Sequence, residues 1–560
     1  MIQHPPPPRP GRGRAIGPWL VLGLAIAWVA LARVPLVLNA AGHLDSDLAV
    51  DGLTLLDATR GHWRWHYPGT PHMGALPVLL SWAQAMAWGV GPIALVSGGV
   101  VAYAGLILAT FGLNRRAFGA SAACWGLVPL AFASTGTIWL SGRITGGHLL
   151  TAAWHAGAFA LLYGCLARGG ARRSAILGLW SGLGLSLDSM FAVTWLGLVP
   201  AAALGWWWGG RGEAGPRPAG RATACVLAFA LAAGLGLTPR ALGAWADPHD
   251  AYREQFEPVT RGDVLAGHAK ILALDCLPRL IAGHRLPGLQ AEPDPATLAG
   301  GAGGSGGPRG GSMTWLAAIV ATASLALFAG AMSSLAFDPP ARLRPGPDRP
   351  PGLADPARRA VRWGLLLSSA AVVAGFVANR NIFNSDNYRY LVFLLVPSSA
   401  GTGLLLGRRA SRGPAGAWLA GAVALGFAAL MTADSARWYA RLGWVDASGR
   451  PVRKAVDDPA PAWLAAHPEV TAIFADYWDA YRLAFLAGGR VRGVPFPEYP
   501  DRFPEVGRGL PGGRPRTLIV RPGPVGPLYR ARALSEGGRE VHRAGGLSVV
   551  DWPPRTGTSP

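Results

Sequence analysis

Long blocks of apolar residues, separated by short segments rich in arginine, glycine or proline, run through most of this 560-residue chain. A helix that crosses the hydrocarbon core of a bilayer needs about 20 mostly apolar residues, and many blocks reach that length. Hydrophobic residues make up 51% of the chain and charged residues only 15%, a poor balance for a soluble protein. The sequence therefore predicts an α-helical polytopic membrane protein.

We predict about 11 transmembrane helices by this criterion. The block at 174–208 is too long for one perpendicular helix and carries Asp188 near its middle, so we divide it there into two short helices. The predicted spans are 16–41, 92–113, 119–140, 147–167, 174–187, 190–208, 222–243, 313–336, 362–378, 391–407 and 414–432.

Arginines near span ends collect on the cytoplasmic side of a membrane. With the N-terminus in the cytoplasm, every predicted inside loop is basic, from Arg115 and Arg116 to Arg408 and Arg409. We expect the protein in the cytoplasmic (inner) membrane. The expected order is a cytoplasmic tail at 1–15, a membrane domain at 16–432 with external loops at 42–91 and 244–312, and a soluble extracytoplasmic domain at 433–560.

The C-terminal segment has a different pattern. Short runs of β-forming residues at 471–475, 517–520 and 547–550 alternate with helical runs at 477–487 and 528–536. Glycine and proline are frequent in the connections, as in compact turns. We therefore predict a small C-terminal α/β domain outside the membrane.

Charge and cysteine content exclude other classes of protein. The net charge of +20 comes from small arginine clusters between apolar blocks, so it indicates membrane lipids as neighbours and no nucleic acid. The four cysteines show neither CxxC nor CxxH spacing. No disulfide framework and no structural metal site is expected.

Acidic residues follow the first predicted span directly. Asp45 and Asp47 precede a run that we predict to be a helix on the membrane surface, with Ser46 or Asp47 as its N-cap. The two carboxylates would lie at the mouth of the membrane domain, where a lipid-linked substrate meets a water-soluble one. The loop that follows carries His66, Tyr67 and His72, whose side chains can bind phosphate or hydroxyl groups.

Four segments resemble a known family, the membrane glycosyltransferases of the GT-C fold, particularly the bacterial relatives of protein O-mannosyltransferases and of the lipid A aminoarabinose transferase. Ser46-Asp47-Leu48-Ala49 is similar to the family's Ser-Asp-Glu-Ala stretch, and the loop at 67–74 to its Tyr-Gly-x-x-Tyr-Met-Gly loop. The segment at 384–391 is similar to its Arg-Tyr-Leu turn, and that at 475–482 to the tail of some members. Leu48 stands where many relatives have glutamate, so a paired carboxylate would have to come from Asp45.

The resemblance implies transfer of a sugar from a polyprenyl-phosphate-linked donor to a lipid, glycan or protein acceptor on the extracytoplasmic face. Asp47 would be the general base, and Asp45 would position the acceptor or share a divalent ion with it. No metal ligand is assigned, and no other cofactor is implied. The candidate substrate-binding residues are His66, Tyr67, His72, Arg143, Asn387, Tyr388 and Arg389.

Each assignment has a structural alternative. A carboxylate in front of a helix is often only an N-cap, and an arginine such as Arg389 at a span end often extends to the lipid interface. Asp188 either has a polar role inside the membrane or caps a broken helix. The aromatic stripe at 477–482 favours a packed core. For the whole chain, the alternatives are a lipid or polysaccharide transporter and a noncatalytic membrane assembly protein.

Overall fold

The computed structural model describes most of the chain. The predicted tail at 1–15 and most of the predicted loop at 244–312 lie outside the described part. The described residues are 16–210, 219–246, 258–286, 315–337, 355–382, 385–504, 506, 510 and 514–553.

Nine helices in these described ranges are long and apolar enough to cross a membrane. The protein is therefore a multi-pass membrane protein, as predicted. The nine segments are Gly17–Leu38, Pro92–Ala117, His148–Arg168, Ser189–Trp208, Ala222–Ala246, Trp315–Ala336, Pro356–Ala378, Asp386–Ala410 and Pro414–Leu442.

The other two of the eleven predicted spans are also helical, although neither is a long continuous helix. The span predicted at 174–187 is a 17-residue helix, Ala171–Leu187. The span predicted at 119–140 as one helix is three short helices, because Pro129 lacks the N–H that a continuing helix requires and Ser134 caps a new helix. This interruption brings the chain into a turn at 141–147, from which Arg143 projects.

The helices of the membrane domain are numbered in chain order. They are α1 (Gly17–Ala32), α2 (Val34–Leu38), α3 (Ala40–His43), α4 (Ser46–Thr59), α5 (Val78–Trp88), α6 (Pro92–Ala117), α7 (Ala120–Gly126), α8 (Val128–Ala131), α9 (Thr135–Leu140), α10 (His148–Arg168), α11 (Ala171–Leu187), α12 (Ala192–Gly210), α13 (Ala219–Gly236), α14 (Thr238–Ala246), α15 (Gly262–Ile271), α16 (Leu277–Ala282), α17 (Trp315–Ala336), α18 (Pro356–Ala378), α19 (Leu395–Ala410) and α20 (Pro414–Leu442).

The predicted break at Asp188 is confirmed. Asp188 has extended backbone between α11 and a 3₁₀ turn, and its carboxylate accepts a hydrogen bond from the N–H of Met190. The other carboxylate oxygen lies 3.1 Å from Nδ1 of His148 on α10. Asp188 thus caps the broken helix and also pairs with a polar side chain, so both alternatives for it hold together.

The C-terminal segment forms the predicted small α/β domain. Its elements, after the hairpin β1 (His66–Tyr67) and β2 (Thr70–Gly74) of the membrane domain, are α21 (Pro459–Ala466), β3 (Ala472–Ala475), α22 (Tyr477–Leu486), β4 (Arg492–Pro495), β5 (Thr517–Val520), α23 (Gly526–Ser535), β6 (Arg539–Ala544) and β7 (Leu547–Asp551). The five-stranded sheet has the order β4-β3-β5-β7-β6, with β3 parallel to both β4 and β5 and the remaining pairs antiparallel. Two short strands that the sequence patterns did not predict, β4 and β6, form the edges.

Helix α4 lies between the membrane domain and the C-terminal domain, so protein covers it on the side that a helix on the membrane surface would turn to water. Its residues Leu48 and Leu55 are fully buried. A Cβ atom at Gly52 would lie 2.5 Å from the ring of Phe485 on α22, which shows how closely the two helices approach. The acidic segment at the start of α4 is therefore held between two parts of the protein.

Candidate active site

The first turn of α4 presents Asp45 and Asp47. Asp45 is the N-cap, because one of its carboxylate oxygens accepts a hydrogen bond of 2.9 Å from the N–H of Leu48. The predicted caps, Ser46 and Asp47, are not used in this way: Ser46 donates its hydroxyl to the carbonyl oxygen of Tyr477. Both carboxylates lie at a helix N-terminus, where the helix dipole favours negative charge.

Arg143 reaches Asp45 from the turn between α9 and α10. Its guanidinium forms an ion pair with the carboxylate oxygen of Asp45 that does not cap the helix. The turn packs closely on α6, since a Cβ atom at Gly99 would lie 2.7 Å from the backbone nitrogen of Arg143. Glycine at this position therefore lets the turn bring Arg143 to the acidic residues.

Arg389 reaches Asp47 from the 3₁₀ helix Ser385–Leu394, which leads into α19. One guanidinium nitrogen lies 3.5 Å from a carboxylate oxygen of Asp47. Each of the two acidic residues thus has its own arginine, and both arginines were candidates from the sequence. The segments that carry them lie far apart in the chain and meet only in the folded structure.

The two arginines also line a cavity beside the carboxylates. Its volume, including the open mouth, is about 290 Å³. Guanidinium groups, a hydroxyl and an imidazole lie on part of its wall and aliphatic side chains on the rest, so the lining combines groups that bind anions with an apolar surface. The lining residues are Leu140, Arg143, Thr145, His148, Leu149, Arg389 and Val392.

A second group of side chains surrounds Asp47 from the opposite side. The hydroxyl of Tyr477 donates to a carboxylate oxygen of Asp47 at 2.5 Å, and Tyr67 donates to its backbone carbonyl at 2.7 Å. Arg502 donates to the Tyr477 hydroxyl at 3.2 Å. Tyr477 and Arg502 belong to the C-terminal domain and were not among the predicted site residues.

The surroundings shift the pKa values of the two carboxyl groups in opposite directions. Burial acts to raise the pKa of Asp47, but it is lowered below its ordinary value by Arg389, Arg502 and Arg143 and, to a smaller extent, by the Tyr477 hydrogen bond. Burial raises the pKa of Asp45, and Arg143 offsets only part of that effect. Asp47 is therefore the more readily ionised member of the pair.

Asp51, one helical turn beyond Asp47, is a further acidic residue that the prediction did not include. It is 2% exposed, and burial raises its pKa well above the ordinary value, with smaller contributions from Thr145, which lowers it, and Asp47, which raises it. A carboxyl group in this environment is favoured in its neutral form. The surroundings thus favour the ionised form of Asp47 and the neutral form of Asp51 on the same helix.

The two predicted histidines lie farther along the hairpin of β1 and β2. His66 packs near Gly243 of α14, where a Cβ atom would lie 3.0 Å from the imidazole Nδ1. His72 lies on β2, and its pKa is lowered to about 4, mainly by burial and in spite of the attraction of Asp188. The backbone of the neighbouring Met73 forms an isolated antiparallel β-bridge with that of Asp188, so the hairpin is packed against the break between α11 and α12.

Asn387 and Tyr388 are almost fully buried, and their recorded contacts are with the protein itself. The side-chain amide of Asn387 donates to the carbonyl oxygen of Asn381 at 3.2 Å. The Tyr388 hydroxyl donates to the carbonyl of Gly136 at 3.1 Å, and its ring lies under the guanidinium of Arg279. These contacts fix the 3₁₀ helix that carries Arg389.

Cationic and hydroxyl side chains engage the acidic pair. Among the residues that the structure describes, no group of three or more histidine, cysteine, aspartate or glutamate side chains could hold a metal ion. Asp45 and Asp47 are instead engaged by arginines and a tyrosine. The charge that balances the two carboxylates is therefore supplied by the protein.

Comparison with known proteins supports the architecture. No family model matches the chain, and no curated protein sequence matches it. Among solved structures, it is similar to ArnT from Cupriavidus metallidurans in the apo state, with a TM-score of 0.52, 14% identity, and 96% of this chain and 98% of that chain covered. The chain has the GT-C fold. The structure of the same ArnT bound to undecaprenyl phosphate matches with the same values.

A second similar structure is that of the oligosaccharyltransferase from Archaeoglobus fulgidus in the apo form. The TM-score is 0.49 at 14% identity, and the match covers 91% of this chain and 70% of that chain. The fold that the loop motifs led us to expect is confirmed by the ArnT comparison. At 14% identity that likeness concerns the fold, and the reaction has to be argued from the site.

Proposed function

We propose that this protein transfers a sugar from a polyprenyl-phosphate-linked donor to an acceptor on the extracytoplasmic face of the cytoplasmic membrane. Asp47 would act as the general base. The acceptor would be a lipid, a glycan or a protein that offers a nucleophilic hydroxyl or amino group. The proposal combines the GT-C fold, the acidic pair and the basic cavity.

One observation carries the proposal. Arg143 and Arg389 each contact one of the two carboxylates, and both also line the cavity. A guanidinium group has five N–H donors, so each arginine can pair with an aspartate and still donate to a second anion. A phosphate held by the two arginines would thus share Arg389 with Asp47, the residue proposed to accept the proton.

The reaction follows from this proximity. The acceptor's heteroatom attacks the anomeric carbon while the bond from that carbon to the phosphate oxygen breaks, and the proton of the acceptor passes to Asp47. Negative charge develops on the departing phosphate, where Arg143 and Arg389 stabilise it. Asp47 can take up this proton because its pKa, which is below the ordinary value, keeps it ionised at neutral pH.

The proposed donor class rests on the shape of the cavity and on the fold. Leu140, Leu149 and Val392 form an apolar wall next to the arginines, as an isoprenoid chain attached to a phosphate requires. ArnT, which has the same fold, has been crystallised bound to undecaprenyl phosphate. We extend that ligand class to this chain as part of the proposal.

The test compares Asp47→Asn with the parent in a transfer assay. Purified protein in nanodiscs is supplied with a panel of undecaprenyl-phosphate sugars and candidate acceptors, and release of undecaprenyl phosphate is measured. We expect turnover to fall by a factor of about 100 or more, since a positioned base contributes that much. Binding of undecaprenyl phosphate should persist, because both arginines remain.

Asp57→Asn is the matched control. Asp57 lies on the same helix α4, but its carboxylate is partly exposed and pairs with Arg64 at 3.3 Å, away from Asp47. Its replacement should leave turnover within twofold of the parent. Equal activity in Asp47→Asn and the parent would remove Asp47 from the mechanism, and no turnover of any donor together with no binding of undecaprenyl phosphate would refute the proposed reaction.

A further inference from the structure

We infer that Tyr477 and Arg502, two residues of the C-terminal domain, position Asp47 for proton transfer, so that the site is complete only when this domain is docked. The inference rests on the proposed function, in which Asp47 is the base. It assigns to the C-terminal domain a direct part in the reaction. A chain of hydrogen bonds connects the two domains at this point.

Tyr477 is the first residue of α22, and only the N-cap residue Asp476 separates it from β3. Its hydroxyl donates to one carboxylate oxygen of Asp47 at 2.5 Å, while Arg389 of the membrane domain approaches the other oxygen. Ser46 donates to the backbone carbonyl of Tyr477, which fixes the backbone at that point as well. The carboxylate of Asp47 is thus held from both sides by donors on different domains.

Arg502 orients the Tyr477 hydroxyl. Its Nε donates to that oxygen at 3.2 Å, so the hydroxyl hydrogen is left to point toward Asp47. Another guanidinium nitrogen lies 3.3 Å from the hydroxyl of Thr70, in the hairpin of the membrane domain. The guanidinium also lies over the rings of Tyr67 and Tyr477, with distances to the ring centres of 5.6 Å and 5.7 Å.

These contacts affect the two properties that a general base needs, orientation and charge state. A carboxylate with one fixed donor on each oxygen has little freedom to rotate, so its remaining lone pairs point in defined directions. Tyr477 and Arg502 both lower the pKa of Asp47, which burial alone would raise. Without them, Asp47 would turn more freely and would be protonated at a higher pH.

Tyr477→Phe tests the inference because it removes only the hydroxyl and keeps the ring packed against Trp478 and Tyr481. We expect kcat to fall about tenfold with KM for the donor unchanged, since the loss concerns a hydrogen bond to a charged group. The acidic limb of the pH–rate profile should move up by about one pH unit. Arg502→Gln should move it in the same direction, and Arg502→Lys, which keeps the charge, should move it less.

Tyr529→Phe is the matched control in the same domain. The hydroxyl of Tyr529 bonds to Glu498 at 2.9 Å and makes no recorded contact with Asp47. Its removal should change neither kcat nor the pH profile. An equal loss of activity in both tyrosine variants would mean that the effect is a general loosening of the domain, and it would overturn the inference.

A second measurement does not depend on turnover. Infrared difference spectra between the parent and Asp47→Asn, recorded over a pH series, report the protonation of the Asp47 carboxyl group directly. We then record the same difference spectra between Tyr477→Phe and the double variant Tyr477→Phe/Asp47→Asn. The midpoint of protonation of Asp47 in this pair should lie about one pH unit higher than in the first pair. An unchanged midpoint would overturn the inference even if the enzyme transfers sugar, whereas a raised midpoint with no transfer of any sugar would refute only the proposed function.

Discussion

The pKa of His72 makes folding stability depend on pH in a direction that can be calculated. In the folded chain, burial lowers the pKa of His72 from 6.5 to about 4, and the nearby His148, Arg502 and Arg240 act in the same sense. The neutral imidazole is therefore favoured in the folded state. The contribution of His72 to the free energy of unfolding is therefore fully present above pH 6.5 and is lost as the pH falls toward 4.

The magnitude follows from the two pKa values. Between pH 8 and pH 5, the unfolded chain takes up a proton at this residue while the folded chain hardly does, which costs the folded state about 2 kcal/mol if the unfolded pKa is 6.5 and the folded pKa about 4. This is an upper figure, because His72 is partly exposed and solvent screens its charge.

The assay is equilibrium unfolding in mixed micelles at pH 8 and pH 5, followed by tryptophan fluorescence. His72→Gln cannot take up the proton, so the difference between its two free energies of unfolding should be smaller than the parent's by up to about 2 kcal/mol. His62→Gln, at an exposed position of the same loop, should behave like the parent. An unchanged pH dependence in His72→Gln would show that the folded state accommodates the charged imidazole.

Two further substitutions test the contact between domains and the stability of the C-terminal domain. Gly52→Ala places a methyl group against Phe485 and should lower the free energy of unfolding by about 1–3 kcal/mol. Gly105→Ala, in open space on α6, should be neutral, and equal effects of the two substitutions would contradict the close packing of α4. Arg521→Gln removes the ion pairs of Arg521 with Asp458 at 2.6 Å and with Asp479 at 2.7 Å, while Arg482 still pairs with both carboxylates. The domain's stability, measured by thermal unfolding, should therefore fall by about 1.5–3 kcal/mol, and a loss below about 0.5 kcal/mol would show that Arg482 alone suffices to balance the two carboxylates.

The membrane architecture could be predicted because it depends on local properties of the sequence. A block of apolar residues identifies a helix wherever it packs, and Asp188 in such a block was enough to locate the break between α11 and α12. The span predicted at 119–140 was divided for an equally local reason, the proline at Pro129, which the prediction overlooked. The edge strand β6 escaped prediction because its residues are largely charged and exposed.

The sequence predicted some residues of the candidate site and missed others, for a physical reason. Asp45, Asp47 and Arg389 stood out because charged residues at the ends of apolar blocks are conspicuous, and the structure brings them together with Arg143. Tyr477 lay in a segment that had been noted, but its helical aromatic spacing favoured a packed core. Arg502 lies in a polar loop and carries no local signal.

For a related reason, helix α4 was not predicted to be covered by another part of the protein. Its alternation of leucine and aspartate matches a helix half exposed to water. The pattern contains no sign that α22, encoded more than four hundred residues later, would cover it, as the bonding of Asp47 to Tyr477 across 430 positions shows. Contacts over such distances are determined by tertiary packing, which the pattern of a single segment does not report.

That distance along the chain also has a consequence for biosynthesis. Asp47 emerges from the ribosome among the earliest residues, and its tyrosine partner emerges only when most of the protein has been made. A nascent chain could insert every apolar helix that the structure describes and still lack the phenol that holds the carboxylate. Completion of the last domain would then act as a checkpoint, because fragments left by stalled translation or cleavage ahead of Tyr477 would occupy the bilayer with the proposed base unpositioned.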